Sequence, residues 1–293
     1  MPNLKEVRNR ITSVGSTMQI TSAMKMVSAA KLKRAQDAVT QIRPYAGKIK
    51  ELLENVSGSI NAGENPYART SAVKNVLIVP ISSNRGLAGA FNANVIKRTW
   101  ALIKNDYKDC NVTVLGIGKK VQDAFRKTDY HIVGSDLPHH LSDLLDGIAF
   151  EKSAAVAAKI METFENKQFD KIVLIYNQFK NAAVQITTEE QFLPIAPPAA
   201  EASAKGRVDY SYEPNQDSIV KNLIPLSLKT QLHKALLDST ASEHGARMTA
   251  MHKATDNAKE MLRDLKISYN KARQAAITTE ILEIVAGAEA LNG

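Results

Sequence analysis

Both ends of the chain carry apolar residues at alternating spacings of three and four, and few folds can accommodate that pattern. At the N-terminus the stripe runs through Leu4, Val7, Ile11, Val14 and Met18. It resumes through Leu32, Ala35, Val39, Ile42, Ala46, Ile49, Leu53, Val56 and Ile60. These are heptad a and d positions of a helix that packs against another helix. Between the two runs Ile20, Met24 and Val27 take over the stripe, which reads as a slip of phase, and Pro44 predicts a bend. The C-terminal stripe comprises Met251, Ala254, Ala258, Met261, Leu265, Ser268, Ala272, Ala275, Thr279, Leu282 and Ala286, with no proline after Pro225. A helix from near Leu226 to Leu291 would extend on the order of 90 Å and cannot stand alone in water. Its alanine-rich seam demands a close neighbour, and the N-terminal helix of the same chain supplies one. The terminal helices are therefore expected to pair as an antiparallel coiled coil.

Between the stripes the periodicity changes. Asn75 to Ile81, Val112 to Ile117, Tyr130 to Val133 and Lys171 to Asn177 read as strands, and Ala183 to Phe192 as an alternating strand after a hairpin. Asn94 to Lys104, Val121 to Lys127 and Glu151 to Glu165 read as the intervening helices. Alternation of this kind specifies a mainly parallel sheet with helices on both faces, so the fold class is α/β, a Rossmann-like domain inserted between long terminal helices. The expected organisation is a shaft helix over 1–62, an inserted domain over 74–206 and a second shaft helix over 207–293. A proline and alanine linker at Pro194 to Lys205 leads back to the shaft.

Of 293 residues, 44% are hydrophobic and 23% charged, and no run is apolar enough to span a membrane. The single cysteine, Cys110, has no partner for an internal disulfide and points to a reducing compartment. Net charge is +8, and the first fifty residues hold ten basic side chains against two acidic ones. That segment is expected to meet something acidic, with a solvated helix face as the plain alternative.

Signatures of catalysis are missing where they would be expected. Gly116-Ile117-Gly118 follows a strand and precedes a helix, but Val121 stands where a dinucleotide fingerprint needs its third glycine. No phosphate-binding loop occurs, and Ser82 to Asn92 reads better as a tight turn than as an anion cradle. His139 and His140 are adjacent, which is poor ligand spacing, and His244 and His252 read as solvated helix residues. No catalytic residue, metal or cofactor is expected.

The terminal segments resemble the gamma subunit of F-type ATP synthase. The resemblance rests on Ile11 to Val14, Thr17 to Lys31, Ser242 to Met251, Ala254 to Ala258, Tyr269 to Ala275 and Ile277 to Ala288. Ser82 to Gly89 is similar to that family's Ser-Asp-Arg-Gly-Leu-Cys-Gly segment, with Asn84 and Ala88 as departures. The resemblance implies a non-catalytic rotor that couples proton flow through a c ring to ATP synthesis or hydrolysis in a hexamer of alpha and beta subunits. An epsilon subunit would accompany it. It further implies a peripheral place on the cytoplasmic face of the inner membrane, with membrane contact only through the complex. Carried over position by position, Met24 and Lys25 would face beta, as would Arg273, Gln274, Thr278 and Glu280. Lys31, Lys33 and Arg34 form a basic cluster that is expected to point outward with Lys25. A competing reading is a basic coiled coil that binds nucleic acid through Lys25 to Arg34; no nucleic-acid partner is expected if the rotor reading holds.

Overall fold

The computed structural model describes residues 4–57, 66–69, 72–132, 137–138, 141–195 and 216–292. Two long helices, α1 (Leu4–Ser57) and α5 (Gln216–Asn292), flank the elements of a sheet domain. The chain forms two compact units, one of residues 29–247 and the other of 1–28 with 248–293.

The central unit holds a four-stranded sheet built from β1 (Asn75–Pro80), β2 (Asn111–Val114), β3 (Lys171–Phe179) and β4 (Gln185–Leu193), in the order β2-β1-β3-β4. The first three strands are parallel and β4 pairs antiparallel with β3. Strand β1 lies in the middle and is buried from Val76 to Pro80, as expected of a parallel strand covered on both faces. Alternation along it serves two cores. Val76 and Ile78 pack with Val95, Leu102, Val121 and Phe125 from α2 (Phe91–Ala101), the π turn that continues it and α3 (Lys119–Phe125). Leu77, Val79 and Ile81 face Ile160 and Phe164 of α4 (Phe150–Glu165) and Leu228, Leu232 and Leu236 of α5. The first part of α5 is thus a core helix of the domain as well as the start of a shaft.

Glycine is required at one turn. Gly118 has φ +96°, and a Cβ there would lie 2.3 Å from the Ser82 carbonyl oxygen. The close approach lets Ser82 bond both sides of the turn, its N–H to Ile117 O (2.8 Å) and its hydroxyl from Val121 N (3.0 Å). This glycine turn is a packing device.

The expected strand at Tyr130 to Val133 reduces to one bridge, Val114 to His131, because the chain emerges from the Thr128 to Tyr130 turn just where β2 ends. Val133, His139 and His140 lie outside the described residues, as does nearly all of the Pro194 to Lys205 linker.

The second unit is an antiparallel pair made by the start of α1 and the far part of α5. Arg8 bonds the Tyr269 hydroxyl (3.4 Å), and the Thr21 and Thr255 hydroxyls share a 2.9 Å bond. Each N-terminal residue therefore faces one whose number brings the sum to about 276. The phase slip expected near Ile20 does not occur. Ile20 and Val27 are exposed, whereas Thr21 and Ser28 are buried and Lys25 is half-buried. A single heptad register thus runs through 18, 21, 25, 28 and 32, but its residues are polar in the middle. On α5 the seam passes through Met251, Thr255, Ala258, Leu262, Leu265, Tyr269, Ala272 and Ala275, leaving Met261 and Ser268 exposed. Helix α1 continues through Pro44, and the side chains of Leu53 and Val56 and all of Ile60 lie outside the described residues.

Candidate functional site

Helix α5 outruns its partner. Leu4, near the start of α1, shares an open cavity with Ala272, Ala275, Ala276, Thr279, Glu280 and Glu283, and every described side chain from 276 to 290 is exposed. Ile277, Ile281, Leu282, Ile284 and Val285 are thereby left in solvent, with Leu282 63% and Ile284 65% accessible. A cluster of large apolar side chains on one helix end, with no partner helix among the described residues, is the mark of a surface built for another protein.

The residues singled out by resemblance fall into separate groups. Arg273, Gln274, Thr278 and Glu280 are all exposed on α5 within about two turns of one another, with the Thr278 hydroxyl donating to Gln274 O at 2.9 Å. Met24 and Lys25 are half-buried on α1 and lie roughly 20 residues, or about 30 Å, along the pair from that group. Lys31, Lys33 and Arg34 are exposed. Lys25, expected to point outward, occupies a heptad position of α1 and is half-buried rather than fully exposed.

Sequence reasoning missed a second cluster, in the central unit. Arg247 of α5 is 8% exposed and pairs with Glu243 one turn earlier (2.5 Å). Its other guanidinium nitrogen donates to the carbonyls of Arg85 (3.2 Å) and Gly86 (3.3 Å). Those carbonyls belong to the Ser83 to Gly89 turn. The Ser83 hydroxyl also reaches Arg85 O (2.6 Å), the Asn92 carboxamide accepts from Ser83 N (2.9 Å), and Asn84 bridges Ser142 O and Lys119 N. Leu87 sits at φ +62° and is 66% exposed, an uncommon backbone state for a branched apolar residue. Burial raises the Glu243 carboxyl, while Arg247, Lys31 and Arg85 pull it back down. His244 is not the solvated residue expected from sequence. Burial, reinforced by the charges of Arg247 and Lys31, lowers its imidazole to about 4. The signal available in sequence was the Glu-x-x-x-Arg spacing at 243 and 247, which places both side chains on one helix face.

A third polar group ties three elements of the same unit. Arg43 of α1 donates to Asp238 Oδ1 of α5 and to Phe179 O at the end of β3, both at 2.7 Å. The Asp238 side chain is wholly buried. Among the described residues no cluster of histidine, cysteine and carboxylate side chains could hold a metal, and no helix is long and apolar enough to cross a membrane.

A sheet domain, and apart from it an antiparallel helix pair whose longer helix ends in bare apolar surface, define a protein of mechanical contact within a larger assembly. Comparison with known proteins gives the family. The ATP synthase family model matches residues 3–291. The chain is 58% identical to the ATP synthase gamma chain of Christiangramia forsetii and 60% identical to that of Flavobacterium johnsoniae, covering all of both chains in each case. This chain belongs to the ATP synthase gamma chain family. A chain from the central stalk and c ring of the Tetrahymena thermophila mitochondrial ATP synthase is 28% identical, with a TM-score of 0.59, covering 80% of this chain and 99% of that one. A chain of the Euglena gracilis mitochondrial enzyme, at 20% identity, shares the fold with a TM-score of 0.65 over 98% of this chain and 94% of its own.

Proposed function

We propose that this chain is the rotating central shaft of an F-type ATP synthase and has no catalytic site of its own. The observation that carries the reading is the bare end of α5 in a chain of this family. A helix that exposes Ile277, Ile281, Leu282, Ile284 and Val285 needs a sleeve, and a hexamer of alternating alpha and beta subunits is one. Coupling by such a shaft needs different contacts with the alternative states of each beta subunit, since a ligand shifts an equilibrium only by its differential affinity. Arg273, Gln274, Thr278 and Glu280 are exposed near the bare end and suited to that contact, and Met24 and Lys25 would act further down the pair. Exposed ion pairs of about 0 to 1 kcal/mol each suit a surface that must release at every step.

The division into shaft segments 1–62 and 207–293 and an inserted domain 74–206 belongs to the same proposal. In it the sheet domain docks an epsilon subunit and the c ring, and the shaft serves the head. The complex would sit at the cytoplasmic face of the inner membrane, and this chain would touch the membrane only through its partners. The test is to reconstitute membranes whose ATP synthase lacks its gamma chain with this one. ATP-driven proton pumping should return, and alpha, beta and epsilon subunits should copurify with the chain in mild detergent. A chain that neither copurifies with them nor restores pumping is not the shaft.

A further inference from the structure

We propose that Arg247 is the positioning residue of the Ser83 to Gly89 turn, bracing it through the Arg85 and Gly86 carbonyls so that Arg85 and Leu87 are held out for contact within the assembly. Three observations carry this. First, the guanidinium is almost entirely buried, and only one of its bonds lies within α5. One nitrogen takes the Glu243 carboxylate, and the other is directed at two successive peptide carbonyls of a distant loop. A planar fork holds its donors on separate nitrogens and can reach the carboxylate and the carbonyls in different directions at once, where an ammonium gathers its three donors at one point.

Second, the braced turn is held in a state it would not adopt freely. Leu87 has a left-handed backbone, and such conformations persist only where the surroundings over-determine them. Here the surroundings are Arg247 from one side, and Ser83 and Asn92 from the other. Third, the result is presentation rather than burial. Ala88 is buried and anchors the turn, while Arg85, Gly86 and Leu87 are exposed. The exposed Leu87 side chain adds little to the core of the central unit and is left available to a partner. The inference rests on the shaft reading for the purpose of the pose, and on geometry alone for the brace.

The brace can be read directly, because the Arg85–Gly86 peptide is a trypsin site whose carbonyl Arg247 holds. In the full-length Arg247→Ala chain, cleavage after Arg85 should accelerate about tenfold or more relative to cleavage after the exposed Arg126. Arg247→Lys, which keeps the charge but not the fork, should fall between. In the reconstituted complex the same variants, matched for assembly, should lower the protons pumped per ATP hydrolysed in the same order. Unchanged relative cleavage after Arg85 would overturn the brace. So would equal acceleration at both sites, which marks general loosening. Faster cleavage after Arg85 with an unaltered pumping ratio would overturn the positioning role. If the unsubstituted chain restores no pumping, the shaft reading and the positioning role fail together, while the cleavage result still decides the brace.

Discussion

Arg43 and Asp238 show how a buried charge is retained in the central unit. The carboxylate is fully buried, and its desolvation is offset in part by the Arg43 guanidinium, which also caps the end of β3, and by the charge of Lys234. Burial raises the Asp238 pKa, and the Arg43 bond and charge oppose the rise. Removing that cation takes away the charge partner hydrogen-bonded to the carboxylate, so Arg43→Ala should lower stability by about 3 kcal/mol. The double variant Arg43→Met/Asp238→Leu should recover most of that loss. Chemical denaturation of the purified chain measures both, and equal losses in the single and double variants would mean that the pair is not what matters. His244 supplies a pH dependence. Its folded pKa lies near 4, below the ordinary value of about 6.5, so between the two the unfolded chain binds a proton that the folded chain refuses. Stability from this group is present above pH 6.5 and is lost as pH falls toward 4. After allowance for its partial exposure the loss is about 1 to 2 kcal/mol. Asp238 and Glu243, whose carboxyls are raised, act with the opposite sign, losing stability as pH rises through their own range. Comparing melting curves of the unsubstituted chain and His244→Gln from pH 7.5 to 5 isolates the imidazole, and parallel curves would contradict its burial.

At the scale of elements, the Gly118 turn ties β1 to α3 through Ser82. A methyl group there meets a backbone carbonyl that cannot move without shifting β1. Gly118→Ala should cost roughly 3 kcal/mol, combining the positive φ with the clash. Gly147→Ala, where a Cβ would meet nothing within 4 Å, should cost far less. Thermal melting of the two chains makes the comparison. The strands that sequence located well, β1 and β3, are continuous apolar runs buried on both faces, which leave few alternatives. The seam was legible only where it is apolar. At Thr21, Lys25 and Ser28 the heptad positions are polar, so a search for hydrophobic residues shifts to Ile20, Met24 and Val27 and infers a slip that the backbone does not make. Thr21 and Thr255 instead satisfy each other across the helices, and one of them closes on its own helix, at Met18 O (3.1 Å) or Met251 O (2.8 Å). The hold of Arg247 on the Ser83 to Gly89 turn, unlike its pairing with Glu243, was not legible for a different reason. Its partners there are main-chain carbonyls some 160 positions away, which no side-chain pattern records.

For the whole molecule, the bare end of α5 separates folding from function. Every described side chain from 277 to 290 is exposed, so deleting 277–292 should leave the melting temperature of the isolated chain within about 2 °C, as expected when little buried surface is lost. The same deletion should reduce self-association of the free chain in light scattering, because it removes five exposed large aliphatic side chains. A marked fall in melting temperature would mean that these residues have a partner within the chain. The overhang also has a mechanical consequence. Two helices joined side by side resist twisting more strongly than one, because their material lies farther from the common axis. Beyond Ala276 only one helix remains among the described residues, so any twist applied to this unit gathers there first. The tip would then yield before the paired segment does, acting as a soft spring in series with a stiff rod. An angular jolt at the tip would arrive at the paired helices delayed and smoothed.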